Sequence, residues 1–287
     1  MKYNKFGNTG DKISQIGFGG GRLPEVEING QWVIDQDLTD ELVTACLDAG
    51  VNYYDTSCYC CHDNAEAALG KALGTRRKEV LLATKIPLPQ KVTKPDDFRR
   101  VLEETLQTIG TDYIDYYQFF SAQANIYQDY IVDMNMMTEV QKAKDEGLIR
   151  HIGFSFHSAP EDLDFLLDHI DGIEQILLQY NVFDRRNKHL IDKIKQKGIG
   201  LVNMGAFSKC ELETPINFRD MITGKTEYTP YELALKDILR LDKFDCILSS
   251  MLSASLVRSK QLVQNVIDLI TQDKPLSGDE LTLLNSI

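Results

Sequence analysis

The sequence predicts an α/β fold, a (β/α)8 TIM barrel with a short N-terminal β-hairpin closing one end. Two periodicities alternate eight times between residues 14 and 270: short apolar runs bounded by Gly, Asp or Ser, then longer segments with apolar residues three and four apart. The 287 residues suit a single barrel of ~250 residues, and no low-complexity tract, repeat or linker divides 1–287. A dinucleotide-binding open sheet should begin with Gly-x-Gly-x-x-Gly between a strand and a helix. Gly17-Phe18-Gly19-Gly20-Gly21 lacks that spacing, and an acidic loop follows it.

In chain order, the strand Ile16–Gly19 leads to the helix Thr39–Ala49, and Asn52–Asp55 to Asn64–Leu73. Val80–Lys85 precedes Lys94–Ile109, Tyr113–Phe119 precedes Asp133–Glu146, and His151–Ser155 precedes Ala159–Leu167. The last three pairs are Glu174–Leu178 with Lys188–Lys197, Gly200–Met204 with Tyr231–Leu241, and Cys246–Ser250 with Val257–Ile270. Each strand is an apolar run too short for a helix, and each helix repeats its apolar residues on one face. Residues 205–229 form the longest stretch without periodicity, at the C-terminal end of a strand where barrels carry functional loops.

Composition narrows the function classes. The 43 acidic and 31 basic residues give a net charge of −12, which argues against nucleic-acid and anionic-membrane partners. No apolar run approaches the ~20 residues of a membrane span, and the start Met1-Lys2-Tyr3-Asn4-Lys5 lacks a signal peptide's apolar stretch. A cytoplasmic protein acting on a small molecule is the expectation. Its 6 cysteines are then expected to be reduced.

Several segments fall in a characteristic order. They are Lys5-Phe6-Gly7-Asn8-Thr9-Gly10 with Ile16-Gly17-Phe18-Gly19, then Gly50-Val51-Asn52-Tyr53-Tyr54-Asp55-Thr56-Ser57. Glu66…Leu69-Gly70-Lys71-Ala72-Leu73, Ala83-Thr84-Lys85, Ile149-Arg150-His151-Ile152-Gly153-Phe154-Ser155 and Gln179-Tyr180-Asn181 follow. Over roughly residues 1–205 the chain resembles the aldo-keto reductase superfamily, as a divergent member, and the likeness weakens after Met204. The resemblance implies an NAD(P)(H)-dependent oxidoreductase. In that family a tyrosine gives the carbonyl its proton, an Asp–Lys pair raises the tyrosine's acidity, and a histidine helps orient the substrate. A phenol of pKa ~10 is a poor acid at neutral pH until a buried ammonium stabilises its anion.

Asp55 and Lys85 match the pair. The family's tyrosine lies five residues after the aspartate, where this chain has Cys60; Tyr59 comes one residue early. Both remain candidate proton donors; if Cys60 serves, its thiol is expected to ionise more readily than free cysteine, because Lys85 stabilises the thiolate. The histidine position reads Phe120, whose ring cannot donate to a carbonyl.

For the cofactor, the resemblance implies NADP(H). Gly19, Ser155 and Gln179 lie in matching motifs, and Ser155 corresponds to a residue holding the nicotinamide carboxamide. The glutamine expected four residues before Asn181 is Leu177, with Gln175 nearby. Lys209 supplies charge in a loop lacking the family's Pro-Leu and glycine. Arg258, Lys260, Gln264 and Asn265 resemble the adenosine-phosphate clamp, although Arg258 and Lys260 also suit an ordinary helix surface.

Cys58, Cys60, Cys61 and His62 follow the second barrel strand, His157 the fifth and Cys210 the seventh, so all share one end of the barrel. Thiolates with imidazole bind zinc or softer metals, but Cys-x-Cys-Cys-His is no finger spacing, and reduced cysteines in an irregular loop are the plainer reading. Two alternatives stand beside the reductase: a repurposed barrel enzyme (a lyase or isomerase, or one dependent on a metal or thiol) using Lys85, Cys60 and the histidines, and a non-catalytic homologue.

Overall fold

The computed structural model describes residues 1–207, 218–249, 260–272 and 274–287, without the side chains of residues 219 and 260–262. The chain opens with a hairpin, β1 (Tyr3–Lys5) and β2 (Lys12–Ser14), and enters the barrel at β3 (Ile16–Gly19). A second hairpin, β4 (Glu25–Ile28) and β5 (Gln31–Ile34), precedes helix α1 (Gln36–Asp48). Next come β6 (Tyr53–Asp55), α2 (Ala65–Leu73), β7 (Leu81–Ile86), α3 (Pro95–Ile109) and β8 (Ile114–Phe119). Beyond a short α4 (Ala124–Ile126) lie α5 (Met136–Asp145), β9 (Ile149–Phe156), α6 (Pro160–His169) and β10 (Gln175–Gln179). The chain continues through α7 (Ile191–Gln196), β11 (Gly200–Met204), α8 (Phe218–Ile222), α9 (Pro230–Leu239) and β12 (Cys246–Ser249). Helices α10 (Lys260–Thr271) and α11 (Gly278–Asn285) follow.

Strands β3 and β6 to β12 pair in parallel with their neighbours in chain order, and β12 closes on β3 through Ile247 opposite Ile16. This is the eight-stranded barrel that the alternation predicts. Register sorts the side chains into two cores. Tyr53, Ala83, Tyr116, Leu177, Val202 and Cys246 point inward and form one cluster. Their strand neighbours Tyr54, Leu82, Tyr117, Ile176, Leu201 and Ile247 point outward into a larger cluster shared with the helices. The two-residue period of a strand thus separates barrel lumen from helical shell.

The N-terminal hairpin plugs the bottom. Phe6 inserts its ring 4.9 Å from that of Tyr116 and 5.9 Å from that of Tyr53. A β-carbon on Gly200 would come within 2.4 Å of the Phe6 ring, so the plug needs glycine there.

Elements not expected from sequence are the β4–β5 hairpin, the 3-10 turn Gly74–Glu79, the turns from Ala124 to Val132, α8 and α11. The segment before α5 winds loosely, with Asp133 N donating to Gln128 O at 3.0 Å, so the regular helix begins at Met136 rather than Asp133. The predicted helix 188–197 divides into a 3-10 turn, Lys188–Leu190, and α7.

Candidate active site

Because β6 and β7 pair in parallel with Asp55 opposite Ala83, Asp55 and Lys85 both point inward near the C-terminal rim. The ammonium of Lys85 lies 2.8 and 2.7 Å from the two Asp55 carboxylate oxygens and donates to Thr56 O at 2.9 Å. Gln118 adds an N–H to Asp55 Oδ2 at 3.1 Å. Burial pushes the Asp55 carboxyl above its ordinary range, while Lys85 and Gln118 draw it back. A buried pair with every ammonium proton engaged is held rigidly and exerts its charge at short range through a low dielectric.

The pair opens on a cavity of about 370 Å3. Asp55, Cys60, Lys85 and His157 contribute its polar lining, and Phe120, Leu177, Met204, Ala206, Phe207 and Leu248 its apolar lining. Gly19 also lines it, as does Arg22. Phe207 is braced by Tyr231, their rings stacked at 3.9 Å and 14°.

Of the two candidate proton donors, the structure brings Cys60 to the cavity. Tyr59 packs its ring 5.0 Å from Phe120 and donates its hydroxyl to Gln90 Oε1 at 2.8 Å. Cys60 sits over Gly21, where a β-carbon would lie 3.5 Å from its sulfur. The expectation of an easily ionised thiol is overturned. Burial raises the Cys60 pKa, and the opposing field of Lys85 and the hydrogen bond with Ser57 do not offset it. Cys60 is therefore a neutral thiol at physiological pH.

The other members of the thiol–imidazole cluster part company. The Cys61 sulfur accepts from Leu23 N at 3.2 Å, and burial pushes its thiol up to about 11. Cys58 is buried, its thiol also pushed up to about 11. His62 turns outward, with Nδ1 2.8 Å from Glu25 Oε1 and its ring stacked on Trp32. Among the described residues no three His, Cys, Asp or Glu side chains are grouped to hold a metal ion. Cys210 lies outside them.

The cofactor candidates are placed unevenly. Ser155 is buried, its hydroxyl oxygen accepting from Ser121 N at 2.9 Å, which leaves its own proton for another partner. Gln179 donates to Asp184 Oδ2 at 3.1 Å and faces His157 with Oε1. Asn181, held by Gly205 O at 3.0 Å, fastens the chain after β10 to the chain after β11. Lys260 and Asn265 lie on α10, the Lys260 side chain outside the described set; Lys209 and Arg258 fall wholly outside it. Sequence reasoning overlooked Gln118, Arg22 and Phe207, and met His157 only as a possible metal ligand or as one of the histidines of a repurposed enzyme. The inward register of β9, Gly153 opposite Gln118, signals that Ser155 and then His157 face the same way.

The family model described as Aldo/keto reductase family matches residues 15–244. The chain belongs to this family. Aldo-keto reductase YhdN of Bacillus subtilis is 31% identical over 241 residues, 80% of this chain and 66% of that protein. L-galactose dehydrogenase of Arabidopsis thaliana is 28% identical over 216 residues, 71% of this chain. The match spans only 64% of the length of that plant protein.

Among solved structures, aldo-keto reductase AKR11C1 of Bacillus halodurans in its holo form superposes with a TM-score of 0.77 at 24% identity. That alignment covers 100% of this chain and 96% of the other. An aldo-keto reductase of Klebsiella pneumoniae, solved in complex with NADPH, gives a TM-score of 0.76 at 23% identity over 99% of this chain and 94% of its own. These two likenesses are of fold. Within the aldo/keto reductase barrel, this chain brings its buried Asp55–Lys85 couple to one cavity with Cys60, Phe120 and Leu177.

Proposed function

We propose that this aldo/keto reductase is an NAD(P)(H)-linked oxidoreductase for a small carbonyl or alcohol, with Cys60 as its proton donor. The observation that carries the reading is the buried Lys85–Asp55 pair, which opens on a cavity lined by Cys60 and not by Tyr59. The residues present fit the nicotinamide end of the cofactor. Leu177, Met204 and Leu248 supply apolar surface for a flat ring, and the spare Ser155 proton suits a carboxamide oxygen. When bound, the cofactor supplies or accepts the hydride.

The protein's own part is acid–base and electrostatic. The neutral Cys60 thiol gives a proton to the substrate oxygen, and the Lys85 charge stabilises the thiolate left behind. In the opposite direction the thiolate takes the proton from an alcohol. Apolar walls exclude water, which strengthens both effects. The raised thiol pKa keeps the proton in place until it is needed.

The test is a fluorescence titration with NADPH and NADH, followed by reduction of a panel of small aldehydes and ketones. Micromolar NADPH binding is expected, with turnover that falls ~10²–10⁴-fold in Cys60→Ala, the usual contribution of a positioned acid. Tyr59→Phe should leave turnover close to wild type. No binding at millimolar cofactor would end the oxidoreductase reading, and the reverse order of the two variants would return the proton to Tyr59.

A further inference from the structure

We propose that His157 gives the cavity a hydrogen-bond acceptor for a substrate hydroxyl, supplying from the end of β9 a recognition that Phe120 cannot supply from the end of β8. For the identity of the reacting group this rests on the oxidoreductase reading; for the hydroxyl it rests on a chain of hydrogen bonds. Arg186 clasps Asp184 with two contacts of 2.7 Å, and this cation holds the carboxyl below its ordinary range. An ionised carboxylate only accepts. Gln179 must therefore turn its Nε2 toward Asp184 Oδ2, 3.1 Å away, which leaves Oε1 facing the histidine. That oxygen also only accepts, so His157 Nδ1, at 3.3 Å, carries the ring proton. In the neutral ring Nε2 is then a bare lone pair, its tautomer set from behind by a glutamine and a salt bridge.

Two further facts make this lone pair useful. His157 lines the same cavity as Cys60 and Lys85, so a ligand seated there meets a thiol donor and an imidazole acceptor together. His157 is exposed at the cavity rim, and the protein packed around its ring lowers its pKa, with the Lys85 charge acting the same way, against the pull of Gln179 and Asp55. The groups acting on the ring are Gln179 at the end of β10, Lys85 on β7 and Asp55 on β6; Asp184 and Arg186 lie behind Gln179, and Arg22 and Cys60 line the same cavity. The ring therefore stays neutral, and its acceptor available, through the physiological range. The ligand class this selects carries a hydroxyl close to its carbonyl. The polarity is opposite to that of a histidine that donates to the carbonyl itself, so His157 is a specificity residue rather than a displaced copy.

The probes are hydroxyacetone and acetone, which differ by one hydroxyl. In 15N-labelled protein, long-range 1H–15N correlation should show His157 with Nδ1 protonated and Nε2 of pyridine type. Hydroxyacetone should move the Nε2 resonance, and acetone should leave it in place. His157→Phe should lower kcat/KM for hydroxyacetone about tenfold, mostly through KM, with little change for acetone, as for the loss of one neutral hydrogen bond. Gln179→Leu, which frees the tautomer, should erode the same discrimination. The preference should hold at pH ~6.5, the ordinary imidazole value, and fade only in more acid solution, as the ring protonates at its lowered pKa. A ring protonated on Nε2, or equal responses to the two ketones including none, would overturn the proposal. If neither ketone is turned over but the Nε2 shift is present, the oxidoreductase reading fails and the hydroxyl acceptor stands.

Discussion

All three N–H donors of Lys85 are taken, two by Asp55 and one by the Thr56 carbonyl, so its ammonium acts on the cavity through its field, with no N–H left to donate there. Neutralising it should expose the opposite cost. Lys85→Met would leave the Asp55 carboxylate buried without its partner, destabilising the fold by about 3–5 kcal/mol. Urea unfolding should show that loss, with partial recovery when Asp55→Asn is added. Equal stability of Lys85→Met and wild type would show that Asp55 is held by other groups. The pair was legible in the sequence because each partner ends a strand inside a longer recognisable segment. The donor was not. Tyr59 and Cys60 are adjacent in a loop where successive side chains diverge, and only the backbone path decides which one turns inward. The ionisation of Cys60 was misread for a related reason: sequence shows the neighbouring lysine but not the burial that outweighs it.

At the scale of elements, the barrel strands were placed to within two residues because a fully buried parallel strand is an uninterrupted apolar run. The β4–β5 hairpin had its own signal, which went unread. Asn29-Gly30 occupies a two-residue turn with φ of 52° and 78°, the conformation such hairpins require. Alternating acidic and apolar residues disguised its strands as a charged loop. Helix α2 illustrates a constraint that motif likeness marks without explaining. Gly70 meets the C-terminal end of α3 so closely that a β-carbon would lie 1.9 Å from Ile109 O. The obstacle is backbone and cannot swing aside. Gly70→Ala should therefore cost about 1–3 kcal/mol despite the better helix propensity of alanine. Thermal denaturation at neutral pH will show this as a fall in Tm, whereas a rise would mean the helices slide apart freely.

Across the molecule, the two ends of the barrel divide their work. The top carries the cavity, and the bottom is locked by an ionic cluster. There His151 stacks on Tyr116, places Nδ1 2.7 Å from Glu174 Oε1 and has Nε2 3.5 Å from Asp11 of the N-terminal hairpin. Burial pulls the His151 pKa down, but hydrogen bonds to Asp11 and Glu174 and their charges outweigh it, and the net shift is upward. A raised folded-state pKa stabilises the charged form, so the stability His151 contributes is fully present below about pH 6.5. It is lost as pH rises through the folded value. His151→Asn should thus cost more stability at pH 5.5 than at pH 9, read from chemical unfolding, and a pH-independent difference would show that the ring is not titrating. Closure has a kinetic side as well. Residues 16–18 must find residues 247–249 to complete the sheet, the longest separation in sequence that any strand pair bridges here. Asp55 and Lys85 come from two strands and His157 from just beyond a third, and they gain their common geometry from the closed ring. Pairing of such distant segments is the slow part of assembling a high-contact-order chain. During refolding, the helices and neighbouring strand pairs therefore recover first. Recovery of ligand binding is therefore expected to lag recovery of secondary structure in a refolding experiment.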